Sequence, residues 1–181
     1  MARPRLDVRA TLNPHLSSFT VIEPFPLRRR GLRERAEGAF TTWMTLLTAG
    51  GTFSGFSKAQ ATEAVLEGYA RLARAAAARD LLELSKLCAV PVFDLFQAHI
   101  EGRAALPFVL HDSPEAARLV AARTFKREAD STALSSWYQL YFRLWAADSR
   151  AQQLVVVERR EADFDLRLQP WRFAHIEAAK A

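Results

Sequence analysis

The chain closes on Gln152-Gln153-Leu154-Val155-Val156-Val157-Glu158-Arg159-Arg160, a short polar bridge, and then Gln169-Pro170-Trp171-Arg172-Phe173-Ala174-His175-Ile176-Glu177. Both runs are rich in β-branched and aromatic residues and lie between polar clusters, which is how strands read. They follow a first half that reads as helix. Helices first and strands after them, rather than the two alternating, imply an α+β fold in which N-terminal helices pack on an antiparallel sheet.

Just upstream, Leu134 to Ala146 is the clearest strand. Tyr138, Leu140, Phe142 and Leu144 fall on one face at period two. Trp137, Gln139, Tyr141, Arg143 and Trp145 fall on the other. The even face is wholly apolar and is expected to meet the helices. The odd face carries amphipathic residues of kinds enriched at interfaces. Either it receives a partner or ligand, or a strongly curved sheet buries it as its own concave side. Ala147-Asp148-Ser149 reads as a turn and Leu106 to Leu110 as a short strand. Ala116 to Phe125 fits helix or strand, and the strands that follow it favour strand.

In the helical half, Gly31 to Ala49 carries Phe40, Trp43, Met44 and Leu47 at the spacing of one helical face. These four are expected in the core; the alternative is an interfacial helix. Ala49-Gly50-Gly51-Thr52 is expected to end it. Ser57 is a plausible N-cap for an alanine-rich helix with an apolar stripe of Ala61, Val65, Tyr69, Leu72 and Ala76. Arg79-Asp80 breaks the pattern, and a third helix follows with Leu81, Leu84, Leu87 and Cys88. Pro91 starts a fourth, with Val92, Leu95, Phe96 and Ile100 on its apolar side.

Residues 1–30 are expected to be an extended arm, because Pro4, Pro14, Pro24 and Pro26 oppose helix. Residues 31–181 are expected to be a single α+β domain, since half the chain is apolar and can bury a core. The net charge of +5 is wholly accounted for by residues 1–35, which hold eight arginines against Asp7, Glu23 and Glu34. A basic arm on a neutral domain suits RNA, anionic lipid or an acidic protein, or merely keeps the chain solvated. Arg28, Arg29, Arg30 and Arg33 are its best candidates, since guanidinium forks match phosphate oxygens. No apolar run is long enough to cross a membrane.

Catalytic motifs are missing from the sequence. The histidines at 15, 99, 111 and 175 lack metal-ligand spacing. Gly50-Gly51 lacks the Gly-Lys-Ser/Thr ending of a phosphate loop. His99, His111, Asp112, Asp163 and Asp165 are the acid–base candidates, and Asp163 and Asp165 sit in the charged bridge. The expectation is a non-enzyme with no cofactor, no metal and no small-molecule substrate. The lone Cys88 lies in an apolar run and reads as a small buried hydrophobe.

Three stretches carry a family resemblance. The first runs from Ala64-Val65-Leu66-Glu67-Gly68-Tyr69-Ala70-Arg71-Leu72 through Asp80-Leu81-Leu82-Glu83-Leu84 to Phe93-Asp94-Leu95-Phe96 and Ile100-Glu101-Gly102-Arg103. The second is Tyr138-Gln139-Leu140-Tyr141-Phe142-Arg143. The third is Val155-Val156-Val157-Glu158-Arg159 followed by Trp171-Arg172-Phe173. Together, over residues 36–177, they resemble the Tim-forty-four-like family, which includes the C-terminal domain of the mitochondrial import-motor anchor and a relative in the mitochondrial large ribosomal subunit. The resemblance implies a cone-shaped fold of the nuclear-transport-factor-two-like class, with helices on a curved antiparallel sheet. Asp148-Ser149-Arg150 replaces the family's longer excursion with a tight turn.

The resemblance further implies the matrix side of the mitochondrial inner membrane. The expected role is a non-catalytic structural or accessory subunit of an assembly there, ATP synthase or a respiratory complex, with other protein subunits as partners. Two alternatives stand beside it. One is a protein of the mitochondrial large ribosomal subunit that contacts rRNA. The other is a membrane-tethering module of the import machinery that binds cardiolipin or another anionic lipid. Contacts are expected through Arg28, Arg29, Arg30 and Arg33 on the arm, and Trp137, Tyr141, Arg143 and Trp145 on the sheet.

Overall fold

The structure is a computed structural model that describes residues 32–52, 56–111, 114–128, 134–146, 152–160 and 171–178. Among them four helices precede four strands. The helices are α1 (Leu32–Thr52), α2 (Lys58–Ala77), α3 (Leu81–Leu87) and α4 (Val90–Ile100). The strands are β1 (Pro114–Glu128), β2 (Leu134–Ala146), β3 (Gln152–Arg160) and β4 (Arg172–Ala178). All neighbours pair antiparallel, and the sheet order follows the sequence. The chain is therefore α+β. The expected arm, the expected turn at Ala147-Asp148-Ser149 and the stretch 161–170 lie outside the described residues.

Local chemistry sets the helix boundaries. The Ser57 hydroxyl accepts from the Gln60 amide at 3.2 Å and starts α2. At its far end Arg79 is left-handed, with φ of 55°. The Arg79 amide donates to Ala76 O at 3.1 Å and the Asp80 amide to Ala75 O at 2.9 Å. That pair of bonds is a Schellman cap. Asp80 Oδ1 then accepts from the Glu83 amide at 3.0 Å and caps α3. The Arg79-Asp80 break is thus the C-cap of one helix joined to the N-cap of the next. Pro91 lies in the first turn of α4, where its missing N–H has no bond to lose.

The core forms where the inner sheet face meets α2, α3 and α4. Leu140, Phe142 and Leu144 of β2 join Val155 and Val157 of β3 and Phe173 and Ile176 of β4. Tyr69, Leu72, Leu84, Phe93 and Phe96 close over them. In register, Leu140 faces Ala122 and Val157, and Phe142 faces Leu119 and Val155. The apolar even face of β2 meets the helices, as its alternation implied. The register shifts twice within β1, between Pro114 and Ala116 and between Leu119 and Ala121, and once where Ala174 is the extra residue of β4. The Ala89 amide donates to Phe173 O at 2.8 Å, so the α3–α4 connection covers the β4 edge there.

Two expectations are corrected. Leu106 to Leu110 is irregular rather than a strand. Pro107 within it has no N–H for a ladder, Phe108 packs edge-on to Phe96, and the Val109 carbonyl is taken by the Gln153 side chain. Helix α1 continues past Ala49 through Gly50 and Gly51 to Thr52, the last residue of the run expected to end it; glycine lowers helix propensity without forbidding it. Phe40, Trp43, Met44 and Leu47 are not core. The side of α1 that is buried carries Thr45 and Ala49. This helix lies beside β1, an edge strand whose outward N–H groups need acceptors. Thr42 Oγ1 accepts from the Ala122 amide at 3.3 Å, and the Thr45 and Thr124 hydroxyls lie 3.4 Å apart. The Thr42 hydroxyl meets that need at Ala122, Leu46 packs partly buried against the core, and Phe40, Trp43, Met44 and Leu47 are left outside. Among the described residues no helix is long and apolar enough to cross a membrane.

Candidate functional site

The displaced stripe on α1 gathers four of the exposed large apolar side chains among the described residues. Phe40 is 63% exposed, Trp43 55%, Met44 43% and Leu47 54%. The Phe40 and Trp43 rings lie 6.0 Å apart. From Gly38 to Thr52 the helix carries no charge. Contiguous exposed apolar surface of this kind marks interaction sites.

A second feature is a pocket of about 380 Å³ between α2, α3 and the inner sheet face. Ala61, Ala64 and Gly68 of α2 leave the space, and Leu140, Val157, Trp171 and Phe173 wall it. Arg71 and Lys86 stand at its rim with Glu67. One carboxylate holds both cations: Arg71 Nη2 is 2.5 Å from Glu83 Oε1, and Lys86 Nζ is 3.3 Å from Glu83 Oε2. The Arg71 hydrogen bond, then that of Lys86, keeps the Glu83 carboxyl below its usual pKa.

The third feature lies on the opposite sheet face. Tyr141 Oη donates to Gln139 Oε1 at 3.0 Å, and Gln139 Nε2 donates to Glu158 Oε2 at 3.3 Å. All three side chains are buried. Glu158 sits in register between Gln139 and Arg172. Burial pushes its pKa up to about 7, against the Gln139 bond and the Arg172 charge. Desolvation lowers the Arg172 pKa in turn. The Arg123 guanidinium stacks 5.7 Å from the Tyr141 ring centre.

Of the residues expected to make contacts, Arg28, Arg29 and Arg30 lie outside the described residues, as do the side chains of Arg33 and Trp137. Tyr141 is fully buried in the Gln139–Glu158 chain. Arg143 and Trp145 are half-buried on the same face, with Arg143 opposite Arg118. Arg143 Nε is buried and has no hydrogen-bond partner among the described residues. Of the acid–base candidates, His99 is exposed beside Ala104 O, and the backbone amide of His111 donates to Tyr69 Oη. His15, Asp112, Asp163 and Asp165 lie outside the described residues. The sequence reading missed Glu158 and the pocket. A single charge inside the run Val155-Val156-Val157-Glu158 was the available signal for the first. The small residues at 61, 64 and 68 on the alanine-rich helix were the signal for the second.

The buried carboxyl of Glu158 and the charged rim at Arg71, Lys86 and Glu83 lie on opposite sides of the sheet and do not converge on one reacting centre. No protein-family model, no curated protein and no solved structure matches the chain.

Proposed function

We propose that this chain is a non-catalytic accessory subunit of a mitochondrial inner-membrane-associated assembly, with ATP synthase or a respiratory complex as host, and that it docks there through α1. The observation that carries the reading is the exposed face of Phe40, Trp43, Met44 and Leu47. Aromatic and methionine side chains are enriched at interfaces, and charge is depleted at interface centres. The helices-then-sheet order also supports a nuclear-transport-factor-two-like cone.

Native purification of a tagged chain from mitochondria tests the reading. The parent should co-migrate with a large assembly in detergent and after nuclease treatment. The double variant F40S/W43S should migrate alone. A parent that already migrates alone, or is found outside mitochondria, overturns the proposal. Release by nuclease would move the assignment to the ribosomal alternative.

A second reading has its own support. Arg28, Arg29, Arg30 and Arg33 lie a few residues ahead of the uncharged, aromatic-bearing stretch in the sequence, with Glu34, Arg35 and Glu37 between. Basic residues beside an exposed apolar helix face suit an anionic membrane surface. On this reading the parent floats with cardiolipin-containing vesicles, and R28E/R29E/R30E does not.

A further inference from the structure

We propose that the pocket under α2 is a binding site for a small aryl carboxylate. This goes beyond the docking role above and does not depend on it. The volume of about 380 Å³ lies at the lower end of small-molecule pockets. It exists because α2 presents alanine and glycine where the rest of its inner face presents Val65, Tyr69 and Leu72. At Gly68 a Cβ would stand 3.4 Å from the Phe173 ring.

The walls determine the body of the ligand. Leu140 and Val157 are aliphatic, while Trp171 and Phe173 offer aromatic surfaces. Phe173 already meets Tyr69 edge-on at 6.2 Å, which holds its ring in place. A planar aromatic body gains offset or edge contacts that an aliphatic chain does not.

The rim determines the head group. Its two cations share the single carboxylate of Glu83. A guanidinium has five N–H donors, so Arg71 retains donors for a second carboxylate. Lys86 is likewise exposed and adds a second positive charge. Glu67 at the rim opposes an anion, and Glu83 competes for both cations. The competition makes a sharp prediction: removing the Glu83 charge should tighten carboxylate binding and leave a neutral isostere unaffected.

Titration calorimetry on the full chain with 2-naphthoate and its neutral amide, 2-naphthamide, tests the site. Naphthoate should bind saturably and roughly tenfold more tightly than the amide, as a charge-assisted hydrogen bond implies. Glu83→Gln should tighten naphthoate alone. Ala64→Phe, at an exposed position that still lines the pocket, should abolish both. Should that variant not fold, the exposed-side-chain double variant R71Q/K86Q tests the same claim by equalising the two ligands. Absence of naphthoate binding, equal affinity for acid and amide in the parent, or unchanged binding in a folded Ala64→Phe overturns the proposal.

Discussion

Tyr69 donates its phenolic proton to Gln153 Oε1, which ties the middle of α2 to the start of β3 across 84 positions of sequence. The same Tyr69 oxygen accepts the His111 amide at 3.4 Å, and Gln153 Nε2 donates to Val109 O. One tyrosine and one glutamine thereby fasten the irregular segment ahead of β1 to both layers. Burial pushes the Tyr69 pKa up, so the phenol remains a proton donor at any ordinary pH.

Tyr69→Phe keeps the ring and removes the oxygen. Gln153 Oε1 and the His111 amide then lose a partner, and Gln153 is buried. The cost of such unpaired groups is about 1–3 kcal/mol. Urea unfolding should show that loss with an unchanged slope. A loss below about 0.5 kcal/mol would mean that water takes the place of the hydroxyl.

Glu158 should make stability depend on pH. Its pKa is about 7 in the fold against an ordinary 4.5. Below the lower value both states hold the proton, and burial carries no ionisation cost. Between the two values the unfolded chain ionises while the fold does not, so stability falls as pH rises. Above pH 7 the loss is complete and amounts to roughly 3 kcal/mol at most, at about 1.4 kcal/mol per pH unit. Glu158→Gln retains an acceptor for Gln139 and removes the titration. Its unfolding free energy should exceed that of the parent at pH 8 and not at pH 5. An equal gap at both values would remove Glu158 as the cause.

Arg79 holds a left-handed conformation, with φ of 55°, that glycine adopts without strain. Its backbone makes the Schellman bond that ends α2. Arg79→Gly should therefore stabilise the fold by about 1 kcal/mol, read as a raised melting temperature. A drop would show that the arginine side chain contributes more than the backbone strain costs.

Cys88 is buried beside the β4 edge, and burial raises its thiol pKa well above the usual range. A thiol without thiolate character reacts slowly. Labelling by a thiol reagent at pH 8 should follow the unfolding rate and accelerate with urea. Fast labelling of the folded chain would contradict the burial.

Much of this architecture was legible in the chain. The Ser57 cap, the Arg79-Asp80 break and Pro91 each act within a few residues, so their chemistry is visible in a short window. The alternation of Tyr138 to Leu144 placed the even face against the helices, because a strand's two faces follow from backbone geometry alone. Ala116 to Phe125, which by itself fits helix or strand, is part of a strand that runs from Pro114 to Glu128. The candidate sites were less legible. Glu158 follows three valines in sequence, yet its environment is set by Gln139 and Arg172 on neighbouring strands.

The sequence alone determined the order of helices and strands, the helix boundaries at Ser57 and Asp80, and the inner face of β2. Each depends on periodicity or on bonds between near neighbours. Only the tertiary structure decided which side of α1 is buried. Phe40, Trp43, Met44 and Leu47 form one stripe, and Thr42, Thr45 and Ala49 form another at the same spacing. Helical periodicity cannot choose between them. The choice falls to the edge of β1, where the Ala122 amide takes the Thr42 hydroxyl as acceptor, Thr124 meets Thr45, and small side chains let the helix approach. That contact turns the hydrophobic stripe outward, where it becomes the surface through which this chain is proposed to dock.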